Sequence, residues 1–348
     1  MVCVALAARG ARASAQVVTG TATDRESGAA VAGAIISLLQ DGPVRVAPTL
    51  AEERGRFVVR APRAGQYRLR AEAVGYGAFM SAPFTVSDGD TVRMTAVLDP
   101  RRNMLAAVQI TAVTACHTDP QGGERTAAVW EEIRKALAST EVGAAERRTE
   151  FELEQVDQEL TRLRSVVGHH SVKSRTYATG SYGSLPAEVL ARTGYVVELA
   201  DSVEYYGPDA PLLLSPHFLS THCFSTVERR PLFGSREIGL RFRPLDDHLR
   251  ADISGTVWLD RATSALKRIE FTYEVPSWPS AAESASGEVQ YARTTGGQWY
   301  VSRWEMNMPV LTINRAPGPT IARVSSWRVR IGTAKPLVPS ATPDLAAR

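Results

Sequence analysis

From Val18 onward the chain is a succession of short runs in which apolar and polar residues alternate, broken by Gly, Pro and Asp. That pattern predicts antiparallel strands joined by tight turns. Phe57 and Val59 fall on one side of their run and Arg56, Val58 and Arg60 on the other; Tyr67, Leu69 and Ala71 alternate with Arg68, Arg70 and Glu72. Gly65-Gln66-Tyr67 fits a turn feeding a strand, and Gly75-Tyr76-Gly77 a bulge or tight turn. The same period of two returns from Arg236. Ile238, Leu240 and Phe242 alternate with Arg241 and Arg243, and Ile253 to Leu259 leads to an Asp260-Arg261-Ala262-Thr263 turn. Leu266, Ile269, Phe271, Tyr273 and Val275 continue the sheet, and Gly287 to Arg293 runs into a Gly296-Gly297 hairpin. Trp304, Met306 and Met308, and later Trp327, Val329 and Ile331, alternate with charged residues. The expected result is an antiparallel meander with one apolar face rich in Trp and Met, which something must cover.

Between these β-rich parts the period changes. Trp130, Ile133 and Leu137 are spaced for one face of a helix over about 126–139, with Glu131 and Glu132 near its start and Arg134 and Lys135 later. Leu105 to Val113 reads as a connecting strand. Residues 149–167 fit two periods: Phe151 and Leu153 alternate like a strand, while Val156, Leu160, Leu163 and Val167 also fit a helix face. Ser184-Leu185-Pro186 should open a short helix, with Ser184 as its cap and Gly194 as its end.

One stretch carries a family likeness. Val18-Thr19-Gly20-Thr21-Ala22-Thr23-Asp24, Gly28, Val31-Ala32-Gly33-Ala34, Gly55-Arg56-Phe57-Val58-Val59, Pro62, Gly65-Gln66-Tyr67-Arg68-Leu69-Arg70, Gly75-Tyr76 and a hydrophobic run ending at Leu98 together resemble the carboxypeptidase regulatory-like domain. The resemblance implies a small transthyretin-like β-sandwich over 16–98, used in many exported proteins as a binding or spacing module. Where that family usually has Thr-Asp or Thr-Asn before the glycine, this chain has Glu52-Glu53-Arg54 before Gly55. Further on, Gly255 to Asp260 with Leu266 to Phe271 is similar to the hairpins of periplasmic half-barrels of the LolA/LolB lipoprotein-carrier kind, which implies an apolar concave face.

Residues 1–15 read as the tail of a secretory signal: an apolar run from Val2 to Ala8 and an Ala13-Ser14-Ala15 cleavage site before Gln16, without a basic start. Elsewhere no run approaches the ~20 apolar residues of a membrane-spanning helix. Removing residues 1–15 takes away Arg9 and Arg12, so the formal charge falls from +3 to +1. A nearly neutral mature chain with arginines scattered along strands does not fit a nucleic-acid partner. The expected location is periplasmic or extracellular.

In that compartment Cys116 and Cys223 are first read as a disulfide. Because His117 and His222 adjoin them, a zinc site and free thiols stay open as alternatives. Among His117, His169, His170, His217, His222 and His248, none is followed three residues later by Glu, and H-E-x-x-H is missing, so the metallocarboxypeptidase ligand set is not there. Neither a G-x-S-x-G elbow nor a P-loop nor a dinucleotide fingerprint occurs. His169-His170 reads as an exposed loop. No metal and no cofactor is expected, and no catalytic residue is assigned. Tyr205 and Tyr206, in a Pro-rich stretch that continues through Leu212, Leu213 and Leu214, could stack on a sugar or peptide, or the stretch could be a loop pinned by its leucines.

The chain is therefore expected to be mainly β, with a transthyretin-like β-sandwich (16–98), a linker with one strand (99–125), an antiparallel sheet domain with one or two helices (126–335) and a disordered tail (336–348). The leading functional expectation is a non-catalytic exported binding or scaffold protein of the cell envelope, its partner an envelope protein, a glycan or an apolar ligand. Two alternatives accompany it. One is a carrier holding an apolar ligand against Trp304, Met306, Met308 and Trp327; the other binds carbohydrate through the sandwich aromatics Tyr67, Tyr76, Phe79 and Phe84.

Overall fold

A computed structural model describes residues 16–40, 46–101, 105, 123–177, 184–199, 203–229, 236–245, 250–275, 285–314 and 321–337. The signal segment, the linker strand after Leu105, Cys116 and the tail beyond 337 lie outside them.

The N-terminal part is a two-layer sandwich. One layer has the order β4 (Arg56–Ala61), β1 (Gln16–Asp24), β8 (Thr91–Leu98); the other runs β3 (Thr49–Leu50), β2 (Ile35–Gln40), β5 (Gly65–Glu72), β6 (Phe79–Met80), with β7 (Phe84–Val86) also on β5. The alternation in β4 is realised as expected, with Phe57 and Val59 buried and Arg56, Val58 and Arg60 exposed. They close a core with Val18, Leu38, Tyr67, Leu69 and Leu98. One pairing departs from the antiparallel pattern, since β1 and β8 run parallel.

The C-terminal part is a nine-stranded antiparallel sheet, ordered β10 (Val166–Thr176), β9 (Phe151–Thr161), β19 (Ile321–Pro336), β18 (Trp299–Asn314), β17 (Ser286–Arg293), β16 (Leu266–Glu274), β15 (Asp252–Asp260), β14 (Glu237–Pro244), β13 (His222–Arg229). Residues 151–161 are strand throughout. Val156 and Leu160 are four apart, a spacing that also keeps them on one face of a strand, and pairing with β19 and β10 on both sides decides the matter. His169 and His170 are correspondingly not in a loop but exposed in the edge strand β10. β19 runs to Pro336, opposite Phe151.

The long helix α1 (Glu124–Ala145) runs past the expected end at Ser139. Thr140, Val142 and Gly143 are poor helix formers, but each is buried, and packing overrides propensity. Val129, Trp130, Ile133 and Leu137 join the apolar face of the sheet, while Ala138 and Val142 meet Ile35 and Leu50 of the sandwich. The helix therefore lies between two layers and is buried nearly all round. Short helices α2 (Ala187–Thr193), α3 (Ala210–Leu213) and α4 (Pro216–Thr221) and the small hairpin of β11 (Val196–Glu198) and β12 (Val203–Tyr205) complete the fold. Ser184 does not cap α2, which starts after Pro186 with no side-chain cap. The Ser184 N–H instead donates to Asp209 at 3.0 Å.

Candidate functional site

The four Trp and Met candidates do not share a face. Cross-strand pairs project to the same side of a sheet. Trp304 lies opposite Gly332, Met306 opposite Arg330 and Met308 opposite Arg328, whereas Trp327 lies opposite Pro309. Trp304, Met306 and Met308 are buried in the core beneath α1. A Cβ on Gly332 would overlap the Trp304 indole, so the ring rests directly on the glycine backbone. Trp327 packs on the other face, with Leu160 and Val329. There the Arg164 guanidinium covers its ring at 3.3 Å from the centroid.

Tyr205 is buried, its hydroxyl donating to the Pro309 carbonyl at 2.9 Å, and its ring meets Tyr273 edge-on. Burial, then the charge of Glu198, pushes the Tyr205 hydroxyl well above its ordinary range. Tyr206 is half-buried and donates to Glu204 at 2.5 Å. That bond, more than burial, raises its pKa. Leu212 and Leu213 are in the core, and Asp209 caps α3 by accepting from the Leu212 N–H at 2.9 Å. The stretch is thus fastened from both ends. Of the sandwich aromatics, Tyr67 is buried, Tyr76 bonds Asp24 at 3.0 Å, and Phe79 and Phe84 pack against the core.

His222 and Cys223 are neighbours in β13 and so project to opposite faces of the sheet. His222 is buried against Phe218. Its Nδ1 is 3.1 Å from the Phe218 carbonyl, and its Nε2 is 3.2 Å from both the Ile253 carbonyl and Asp252. Both ring nitrogens face protein oxygens, so neither is directed at a metal shared with Cys223. Cys223 itself is disulfide-bonded.

The densest polar chemistry lies where the sandwich meets α1, and the sequence reading assigned it no role. Glu132 is 0% exposed and Lys135 2%. Lys135 donates to Glu132 at 2.8 Å and to the Tyr76 carbonyl at 2.7 Å, and the other Glu132 oxygen accepts from the Gly75 N–H at 2.7 Å. Arg134 bridges Glu131 on its own helix and Glu72 of β5, at 2.8 and 2.6 Å. At the far end of the helix the Glu146 carboxylate accepts from the Thr49 hydroxyl and the Leu50 N–H. The β17–β18 hairpin makes a third tie. A Cβ on Gly33 would overlap the Gly297 carbonyl, and both glycines have positive φ, +72° and +81°. The backbones can touch there only without side chains. The spacing of Glu131, Glu132, Arg134 and Lys135 is compatible with a solvated helix face. The one available signal was that the tight turn at Gly75 frees an N–H and a carbonyl that need partners.

A transthyretin-like sandwich fused to an antiparallel sheet through a buried helix is the class these elements define. Residues 17–99 match the family model described as carboxypeptidase regulatory-like domain. That segment is about a quarter of the chain. No curated relative matches the chain. Among solved structures, similarity is found to 5-hydroxyisourate hydrolase from Klebsiella pneumoniae, at 18% identity over 24% of this chain and 90% of that one, TM-score 0.21. A minor pilin of Streptococcus agalactiae matches at 14% identity, over 29% of this chain and 48% of its own, TM-score 0.22. The major pilin subunit of Bacillus cereus matches at 8% identity, over 88% and 94%, TM-score 0.23. At such scores none of them bears on what this chain does, and no similarity to LolA-like carriers is among these matches.

Proposed function

We propose that this chain is a non-catalytic, exported scaffold or binding protein of the cell envelope, in which the carboxypeptidase regulatory-like domain is held rigidly on a broad antiparallel sheet. The observation that carries this reading is α1, a helix buried between both parts and tied to each, so that the sandwich is presented in a fixed orientation. A carrier of apolar ligands needs unfilled volume beneath Trp304, Met306 and Met308, where the helix now sits. Sugar binding by the sandwich needs a flat exposed aromatic pair, which Tyr67, Tyr76, Phe79 and Phe84 do not offer. The oxidised Cys223 supports an exported protein, and Cys116 is its proposed partner.

Native mass spectrometry of the protein purified from a periplasm, with its leader replaced by an efficient one, tests this. The expected mass is that of the bare chain, two hydrogens light. A retained lipid would overturn the reading in favour of the carrier, and a zinc adduct would overturn the disulfide.

A further inference from the structure

The face of the nine-stranded sheet turned away from α1 carries a groove of about 590 Å³ across β14 to β18. Its two walls differ in chemistry. On β14, Arg241 and Arg243 are two residues apart on the same face, exposed, with no acidic partner among the described residues. On β18, Glu305 is held by Arg303 at 2.7 Å and by the Asn307 amide at 3.1 Å. Between the walls lies a band of hydroxyls. Ser254 and Thr272 bond each other at 3.2 Å, while Thr256 and Ser286 have no protein partner among the described residues. The register aligns Arg241, Thr256, Glu270, Glu288 and Glu305 in one row across the strands. Four strand spacings make this row about 19 Å long. Within it, Glu270 is neutralised by Arg268 at 2.7 Å, and among the described residues Glu288 accepts from Gln290, at 2.6 Å.

We propose that this groove binds an oligosaccharide that carries a single uronate among neutral sugars. A uronate carboxylate would sit on the Arg241–Arg243 pair, whose planar forks match it. Sugar hydroxyls would meet Thr256, Ser286 and the acceptor oxygens of Glu288 and Glu305. The chemistry disfavours the other classes. A polyphosphate or nucleic acid would face the carboxylate row, a polycation would face the two arginines, and the side chains between them offer an apolar ligand little. An extended peptide would need free backbone groups, yet every strand from β14 to β18 is paired on both edges, so recognition rests on side chains alone. The groove lies on the face opposite the filled core, so this inference goes beyond the scaffold reading and uses only its placement of the chain outside the cytoplasm.

Isothermal titration of the full mature protein with aldotetraouronic acid (a xylotriose bearing one glucuronate), cellotetraose and hexaglutamate tests it. Saturable binding of aldotetraouronic acid, with clearly weaker binding of the other two, is the expected result. Arg241→Gln/Arg243→Gln should weaken it about tenfold or more, through loss of charge-assisted bonds, with an unchanged melting temperature. Thr256→Val should weaken it severalfold without altering charge. No binding of aldotetraouronic acid, equal binding of cellotetraose or hexaglutamate, or full affinity in the arginine double variant would each overturn the proposal. A bare mass in native spectrometry together with no titration signal rejects the groove and leaves the scaffold reading standing; a retained lipid rejects the scaffold reading alone.

Discussion

Lys135→Ala is the sharpest test of the joint between the two parts of this chain. In the wild type, Glu132 and Lys135 are both withdrawn from water and satisfy each other, with Gly75 and Tyr76 supplying one further bond each. Removing the ammonium leaves a carboxylate with no exposure, no countercharge and a single N–H donor, and it takes the Lys135 donor from the Tyr76 carbonyl. Breaking a buried pair in this way costs about 3–5 kcal/mol. At 2–4 °C per kcal/mol for a domain of 150–250 residues, the melting temperature should fall by roughly 6–20 °C. Urea unfolding gives the free energy directly. All six tryptophans lie at or beyond position 130, outside the sandwich, so their fluorescence follows the sheet and α1. Far-UV dichroism follows both parts. The two probes should coincide in the wild type and separate in the variant, because the sandwich loses a buried, charge-assisted tie to α1. The double variant Glu132→Leu/Lys135→Met, which removes both charges, should recover much of the loss. A Lys135→Ala protein within about 1 kcal/mol of wild type would refute the argument that this pair holds the two parts together.

Three further outcomes follow from other contacts. Gly33→Ala forces a Cβ onto the Gly297 backbone at a positive φ, and should cost about 1–3 kcal/mol in strain before the clash is counted; urea unfolding and faster proteolysis between the two parts would report it. Cys116→Ser should lower stability under oxidising conditions by up to about 4–5 kcal/mol, the chain-entropy value for a loop of roughly a hundred residues, and the difference should vanish in reductant. Glu237 accepts hydrogen bonds from Arg268 and Lys267, chiefly the former, which hold its carboxyl below the ordinary value of 4.5. Its stabilisation is complete above that value and is lost as pH falls through the lower folded-state value. Glu237→Gln should therefore be less stable near neutrality and show a flatter acid limb; an unchanged pH–stability curve would reject that assignment.

The strands of this protein are legible in its sequence because a half-buried strand records its environment every second residue. Phe57 and Val59, or Ile238, Leu240 and Phe242, report both conformation and inward face without reference to anything distant. The family likeness over the N-terminal sandwich is local in the same sense, resting on turn glycines and alternating runs within one stretch. Sequence periodicity did not say on which side of the sheet each strand's apolar residues would lie. Trp327 shares the period of Trp304, Met306 and Met308, and only the pairing of β18 with β19 puts it on the opposite face. The same holds for Val156 and Leu160, whose spacing suits helix and strand alike until neighbours on both sides supply the hydrogen bonds. The helix over 126–139 was readable from its apolar stripe, but its last turns and the burial of Glu132 and Lys135 were not. Those depend on a second surface, the sandwich, arriving from about sixty residues earlier to cover what would otherwise be a solvated face. Local patterning therefore determined which segments are strands and which stretch is a module. The tertiary structure decided which polar residues are buried ties and which line an open groove, because burial is a property of what packs against a residue, and that is set by contacts distant in the chain.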